Sequence, residues 1–258
     1  MNSFKINGWY RNRPGWYQIL EIKGDTAKIR FEDGTVRWED DLHILLRIWN
    51  NIRGEKPYET RQQKTYLENK ERYALEKSII FTSEKFIEIE DRIYSVKYYH
   101  PYRTDNEPNP KFDKWSGDIL NLKNKSEKAI DYFYGVLNLQ LGEGFPISCV
   151  PSHEPGTNLS GTILLAQRLA RDKRIDATSC LIRHKKIQKL SSGGNRSASL
   201  HLQTIKVDNG HLIHGKTVLL LDDVFTTGNS LRACRQLLYQ AGAKSVYCLV
   251  LGRTVRSA

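Results

Sequence analysis

The chain has 258 residues, 39% of them hydrophobic, which suits one large globular domain or two modest ones. No apolar run approaches the roughly 20 residues that a bilayer-spanning helix needs, and the opening MNSFKINGWYRNRPGWY lacks a signal-like apolar core, so a cytoplasmic protein is expected. The formal net charge of +11 invites an anionic partner. The four cysteines, Cys149, Cys180, Cys234 and Cys248, show neither CxxC nor zinc spacing and read as small buried hydrophobes.

Residues 1–52 predict a small β module. Residues 16–22 and 26–31 alternate across a turn at Lys23-Gly24-Asp25, and Asp33-Gly34 marks a second turn before residues 35–38. Leu42, Leu45, Leu46, Trp49 and Ile52 recur at helical spacing and would close the module with a helical turn. It resembles an SH3-like or Tudor-like barrel. Trp9, Tyr10, Trp16, Tyr17 and Trp38 are dense for so short a segment. Two readings of them stay open: large side chains filling a tiny core, or an aromatic surface for a protein or nucleic-acid ligand. Residues 53–77 mix both charge signs with few apolar anchors and predict a solvated helical linker.

A second domain is expected over residues 78–258. Strands are predicted at 78–81, 86–89 and 92–99, then a polar loop at 100–114 and helices at 118–123 and 126–139. Strands at 145–150, 177–182, 202–207, 217–221 and 246–251 follow, with helices at 159–171 and 231–240 between them. This βαβ rhythm predicts an α/β fold with a mostly parallel sheet flanked by helices.

The stretch VLLLDDVFTTGNSL, residues 218–231, carries the most chemistry. Its apolar start reads as a strand buried on both faces. Asp222 and Asp223 follow at the strand's carboxyl end, where open α/β sheets bind ligands, and two adjacent carboxylates suit vicinal hydroxyls. Thr226, Thr227, Gly228, Asn229 and Ser230 then offer amides and hydroxyls at a helix start, where unpaired donors favour a phosphate. As an ordinary βα corner, the same residues would only cap a helix.

Two further segments point to the same ligand. Residues 150–158 pass from a strand to a helix, and there Ser152, His153 and Gly156 could meet a second anionic group. Residues 183–197 form a long basic, glycine-bearing loop between two predicted strands, of the kind that often serves as a lid. Residues 171–206 hold nine Lys or Arg against two Asp, a net +7 that adjoins the motif.

The motif resembles the phosphoribosyl-pyrophosphate (PRPP) motif of type I phosphoribosyltransferases. The order of P-S-H, R-x-K-K-I-Q-K-L-S-x-G-x-R, LLLDDVFTTGNSL and AGAKSVYCLVLGRT is similar to the ComF-like branch over residues 115–254. The resemblance implies binding of PRPP with Mg²⁺ and transfer of ribose 5-phosphate to a nucleobase or other amine, with release of pyrophosphate. It places ribose hydroxyls on Asp222 and Asp223, the 5-phosphate on Thr226–Ser230, and pyrophosphate on Ser152 and His153. Arg183, Lys185, Lys186 and Arg196 become flap cations. The metal would be held through PRPP, without a dedicated protein ligand set. Relatives commonly dimerise, so a homodimer is a further expectation. The zinc-binding cysteine cluster of many ComF proteins is missing here, and the aromatic module stands in its place, so a role in DNA uptake is not carried over. The alternatives are a non-catalytic PRPP or nucleotide sensor and a nucleic-acid-processing accessory protein.

Overall fold

The structure, a computed structural model, describes residues 4–12, 15–53, 61–156, 159–171, 173–187 and 198–255, with the backbone alone for 61–68. It divides into two compact units, residues 1–72 and 73–258.

In the first unit, β1 (Trp9–Arg11), β2 (Trp16–Lys23), β3 (Thr26–Phe31) and β4 (Val36–Glu39) form an antiparallel sheet in that order. Left-handed Gly24 (φ 56°) and Gly34 (φ 87°) make the turns after β2 and β3. Helix α1 (Leu42–Ile52) starts at Asp41, whose carboxylate accepts from the Ile44 amide at 2.9 Å. Alternation puts Tyr17, Ile19, Ala27 and Ile29 inward, where they pack with Phe4 and Leu45. The expected barrel is corrected: among the described residues β1 and β4 do not pair, so the sheet is open. Its tryptophans and tyrosines differ in burial. Tyr10, Tyr17 and Trp49 belong to the core, whereas Trp9 and Trp38 are 46% and 41% exposed.

Helix α2 (Arg61–Ile80) lies within the segment expected as a helical linker and runs on through the strand expected at 78–81. In its second half, Tyr73, Glu76 and Ile80 recur at helical spacing and face the core of the second unit. Buried Glu76 pairs with Arg92 at 3.7 Å and Lys244 at 3.4 Å.

The second unit continues with β5 (Ile87–Glu90), β6 (Ile93–Tyr99), the small hairpin β7 (Arg103–Thr104) and β8 (Glu107–Pro108), α3 (Lys114–Lys123) and α4 (Glu127–Asn138). Then come β9 (Pro146–Cys149), α5 (Gly161–Ala170), β10 (Ile175–Asp176), β11 (Leu181–Arg183), α6 (Ala198–Thr204), β12 (Ile205–Val207), β13 (Thr217–Phe225), α7 (Asn229–Gln240) and β14 (Ser245–Thr254). The main sheet has the order β10-β9-β13-β14-β6-β5, parallel throughout except for β5 against β6.

Period-two alternation divides the central strands between two cores. Leu219, Leu221, Tyr247 and Leu249 pack with α3, α4 and α5, while Val218, Leu220, Val246 and Cys248 pack with α7. Two expected strands are corrected. The segment 177–182 instead supplies β11, which pairs antiparallel with β12 outside the main sheet. Residues 198–204 are helical because His201 and Thr204 turn one face inward against Arg183.

All four cysteines are free and buried. Burial pushes the Cys180 thiol up to about 11 and the Cys248 thiol up to about 12. Native protein is therefore expected to be inert to an aromatic disulfide reagent at about pH 8, with reaction only after denaturation. Rapid native labelling would contradict this burial.

No helix among the described residues is long and apolar enough to cross a membrane.

Candidate active site at the sheet switch point

Strand β9 lies between β10 and β13, so the chain leaves it toward one side through α5 and later returns to its other side. Such a reversal opens a crevice beyond the carboxyl ends of the two strands, the usual ligand position in open α/β sheets. Pairing between β9 and β13 ends at Cys149 and Leu221, while β13 and β14 stay paired as far as Phe225 and Arg253. The two acids of the motif therefore lie within the strand, flanked by β14 on one side and by open space on the other.

That space is a cavity of about 670 Å³. Its lining brings together Asp222, Asp223, Thr226, Thr227, Gly228 and Ser230 from the motif with Ser152 and His153 from the turn after β9. Asn229 begins α7 but is not part of the lining. The amide of Asp223 donates to Asp222 Oδ1 at 2.9 Å. Gly228 sits at the N-cap of α7 in the left-handed region, with φ 73°. Arg232 anchors this corner from behind: its Nη1 donates to the Thr227 carbonyl at 2.8 Å, and its Nη2 donates to Glu90 Oε1 at 2.7 Å.

On the opposite wall, Ser152 Oγ donates to the Glu154 carbonyl at 3.1 Å, and the His153 carbonyl accepts from the Ile187 amide at 3.1 Å. Arg183 also lines the cavity, but as a buried brace on β11. Its Nε donates to the Ser152 carbonyl at 2.5 Å, its Nη1 donates to Thr204 Oγ1 at 2.7 Å, and its Nη2 lies 3.3 Å from His201 Nδ1. Lys185 and Lys186 are exposed and outside the cavity lining, with Lys186 Nζ 2.9 Å from Glu154. Arg196, and the flap from 188 to 197, lie outside the described residues.

Several lining residues come from elements distant in the chain. Tyr99 ends β6, Lys123 ends α3, and His201 belongs to α6. Lys123 Nζ lies 3.3 Å from Asp223 Oδ1. Burial pulls the Lys123 pKa down, but Asp223 and Tyr99 outweigh it and raise the net value, so the cation is retained. A basic residue in the last turn of a helix usually serves the helix dipole, and here it also lines the cavity.

The site thus pairs adjacent carboxylates with the amino end of a helix at a sheet switch point. Residues 159–254 match the phosphoribosyl transferase domain family.

The phosphoribosyl transferase match includes α5, the motif strand and the start of α7. Tyr99, Lys123 and the turn with Ser152 and His153 lie before it in the chain. An adenine phosphoribosyltransferase from Treponema denticola is 40% identical over 65 residues, which are 23% of this chain and 34% of that protein. The chain thus spans about a third of the length of this curated relative. Among solved structures, adenine phosphoribosyltransferase from Leishmania tarentolae aligns with 16% identity and a TM-score of 0.36, over 64% of this chain and 80% of that one. Phosphoribosylpyrophosphate synthetase from Mycobacterium smegmatis aligns with 18% identity and a TM-score of 0.28, over 51% of this chain and 34% of that one.

Proposed function

We propose that the cavity binds PRPP and transfers ribose 5-phosphate to a nitrogen nucleophile, as in the ComF-like branch of the phosphoribosyltransferases. One observation carries this: Asp222 and Asp223 share a cavity with the amino-terminal turn of α7. A sugar phosphate needs acceptors for its hydroxyls and donors for its phosphate, and these neighbouring groups supply both.

In this reading, the amides and hydroxyls from Thr226 to Ser230 hold the 5-phosphate, and Asp222 and Asp223 accept from the ribose hydroxyls. Ser152 and His153 stand on the pyrophosphate side, braced by Arg183. The C1–oxygen bond to pyrophosphate breaks and takes its electron pair with the leaving group. The acceptor nitrogen forms the new C1–N bond and passes its proton to the departing pyrophosphate or to water. Positive charge develops at C1 as the leaving group departs, and the paired acids stabilise it electrostatically.

Among the described residues, no cluster of three or more His, Cys, Asp or Glu could hold a metal. A Mg²⁺ held mainly by substrate oxygens needs no such cluster; one acid of the motif could complete its shell, where it would neutralise pyrophosphate charge.

The test is calorimetry of the full chain with PRPP and Mg²⁺, followed by a screen for pyrophosphate release with purines, pyrimidines and simple amines. Tight PRPP binding without release in the presence of any acceptor would favour the sensor alternative. Asp222→Asn and Asp223→Asn are each expected to weaken PRPP about tenfold, near 1.4 kcal/mol, with the fold intact. Unchanged affinity in both variants would remove the ribose role.

A further inference from the structure

Lys123 reaches the motif on a rigid element. Its neighbour Leu122 is fully buried, and a Cβ placed on Gly161 would lie 1.7 Å from the Leu122 carbonyl oxygen. The end of α3 is thus seated directly against the start of α5. Beside Lys123 lies the Tyr99 ring, with Nζ 6.0 Å from its centroid. Among the described residues, Lys123 and Arg183 are the only Lys or Arg side chains in the cavity lining. Arg183 is already engaged by Ser152, Thr204 and His201. Lys123 is therefore the cation directed at the acids of the motif.

We propose that Lys123 is a positioning residue that holds Asp223 for the pentose. The proposal rests on the ribose-phosphate reading above and adds a residue to it. Two adjacent carboxylates repel each other, and a fixed ammonium beside one of them offsets that repulsion. Contact with Oδ1 also restrains rotation of the carboxylate, so that Oδ2 keeps its acceptor capacity in a defined direction. An ordered acceptor binds a hydroxyl with less entropy loss than a rotating one. Tyr99 flanks the ammonium and restricts the positions it can take.

A double-mutant cycle on Mg-PRPP affinity, measured by calorimetry on the full chain, tests this. Lys123→Met is expected to weaken binding about tenfold, with a thermal midpoint close to that of wild type, because the side chain is 41% exposed. Lys123→Arg should keep most of the affinity. In an Asp223→Asn background, Lys123→Met should cost nothing further, because the group it positions has lost its charge. Equal losses in both backgrounds would show action independent of Asp223 and overturn the proposal. So would unchanged affinity in Lys123→Met, or failure of Lys123→Arg to restore binding in a folded protein. Wild-type protein that bound no PRPP would instead remove the ribose-phosphate reading itself, and this proposal with it.

Discussion

Gly228→Val is expected to fold and yet lose affinity for PRPP by about a hundredfold or more, measured by calorimetry. Gly228 has φ 73°, a left-handed conformation that costs a residue with a side chain roughly 1–2 kcal/mol, and more when it is β-branched. Space is also lacking, because a Cβ there would lie 2.4 and 2.6 Å from two carbons of the Phe225 ring and 3.1 Å from Arg232 Cζ. These neighbours cannot easily give way. The Arg232 guanidinium lies over the Phe225 ring at 5.5 Å and is tied to Glu90 and to the Thr227 carbonyl. Relief must come from the backbone, which would turn the amides at the start of α7 away from the phosphate. An affinity within about threefold of wild type would refute a phosphate role for this turn. Gly228→Ala should show the same direction with a smaller loss, since it lacks the branched carbon.

Gly161→Ala is expected to destabilise the second unit by about 1–3 kcal/mol, read from the urea unfolding midpoint. The cause is contact between backbone atoms: a methyl group would overlap the Leu122 carbonyl oxygen, and no side-chain rotation can relieve that. Either α5 or α3 must shift, and both pack on the same face of the sheet. A shift of α3 also carries Lys123 away from Asp223, so PRPP affinity should fall along with stability. A Gly161→Ala protein with an unchanged midpoint would show that the two helices approach less closely than described.

Much of the site is legible in consecutive residues. Val218–Leu221 are fully buried strand, as their uninterrupted apolar run implies, and the TTGNS corner does open a helix. The acids proved to be part of the strand, because pairing with β14 continues beyond them to Phe225. Elsewhere, local pattern misled. Ile79 and Ile80 are β-branched and apolar, yet α2 runs through them because Tyr73, Glu76 and Ile80 are the positions that meet the core. Residues 202–204 are helical for a related reason, since His201 and Thr204 turn together toward Arg183. The N-terminal segment showed its strands and turns, but alternation within a strand carries no information on whether the first and last strands pair, and among the described residues they do not.

By itself, the order of residues determined the chemistry of the motif: a buried strand, paired acids, and a helix start rich in amides and hydroxyls. Those preferences act over a few positions, so they survive without knowledge of the remaining chain. Tertiary structure decided which other side chains share the cavity. Tyr99, Lys123 and His201 meet there because β9 sits between β10 and β13 and because α3 docks on the start of α5. Strand order and helix docking arise from packing between residues far apart in sequence, and no local periodicity encodes them.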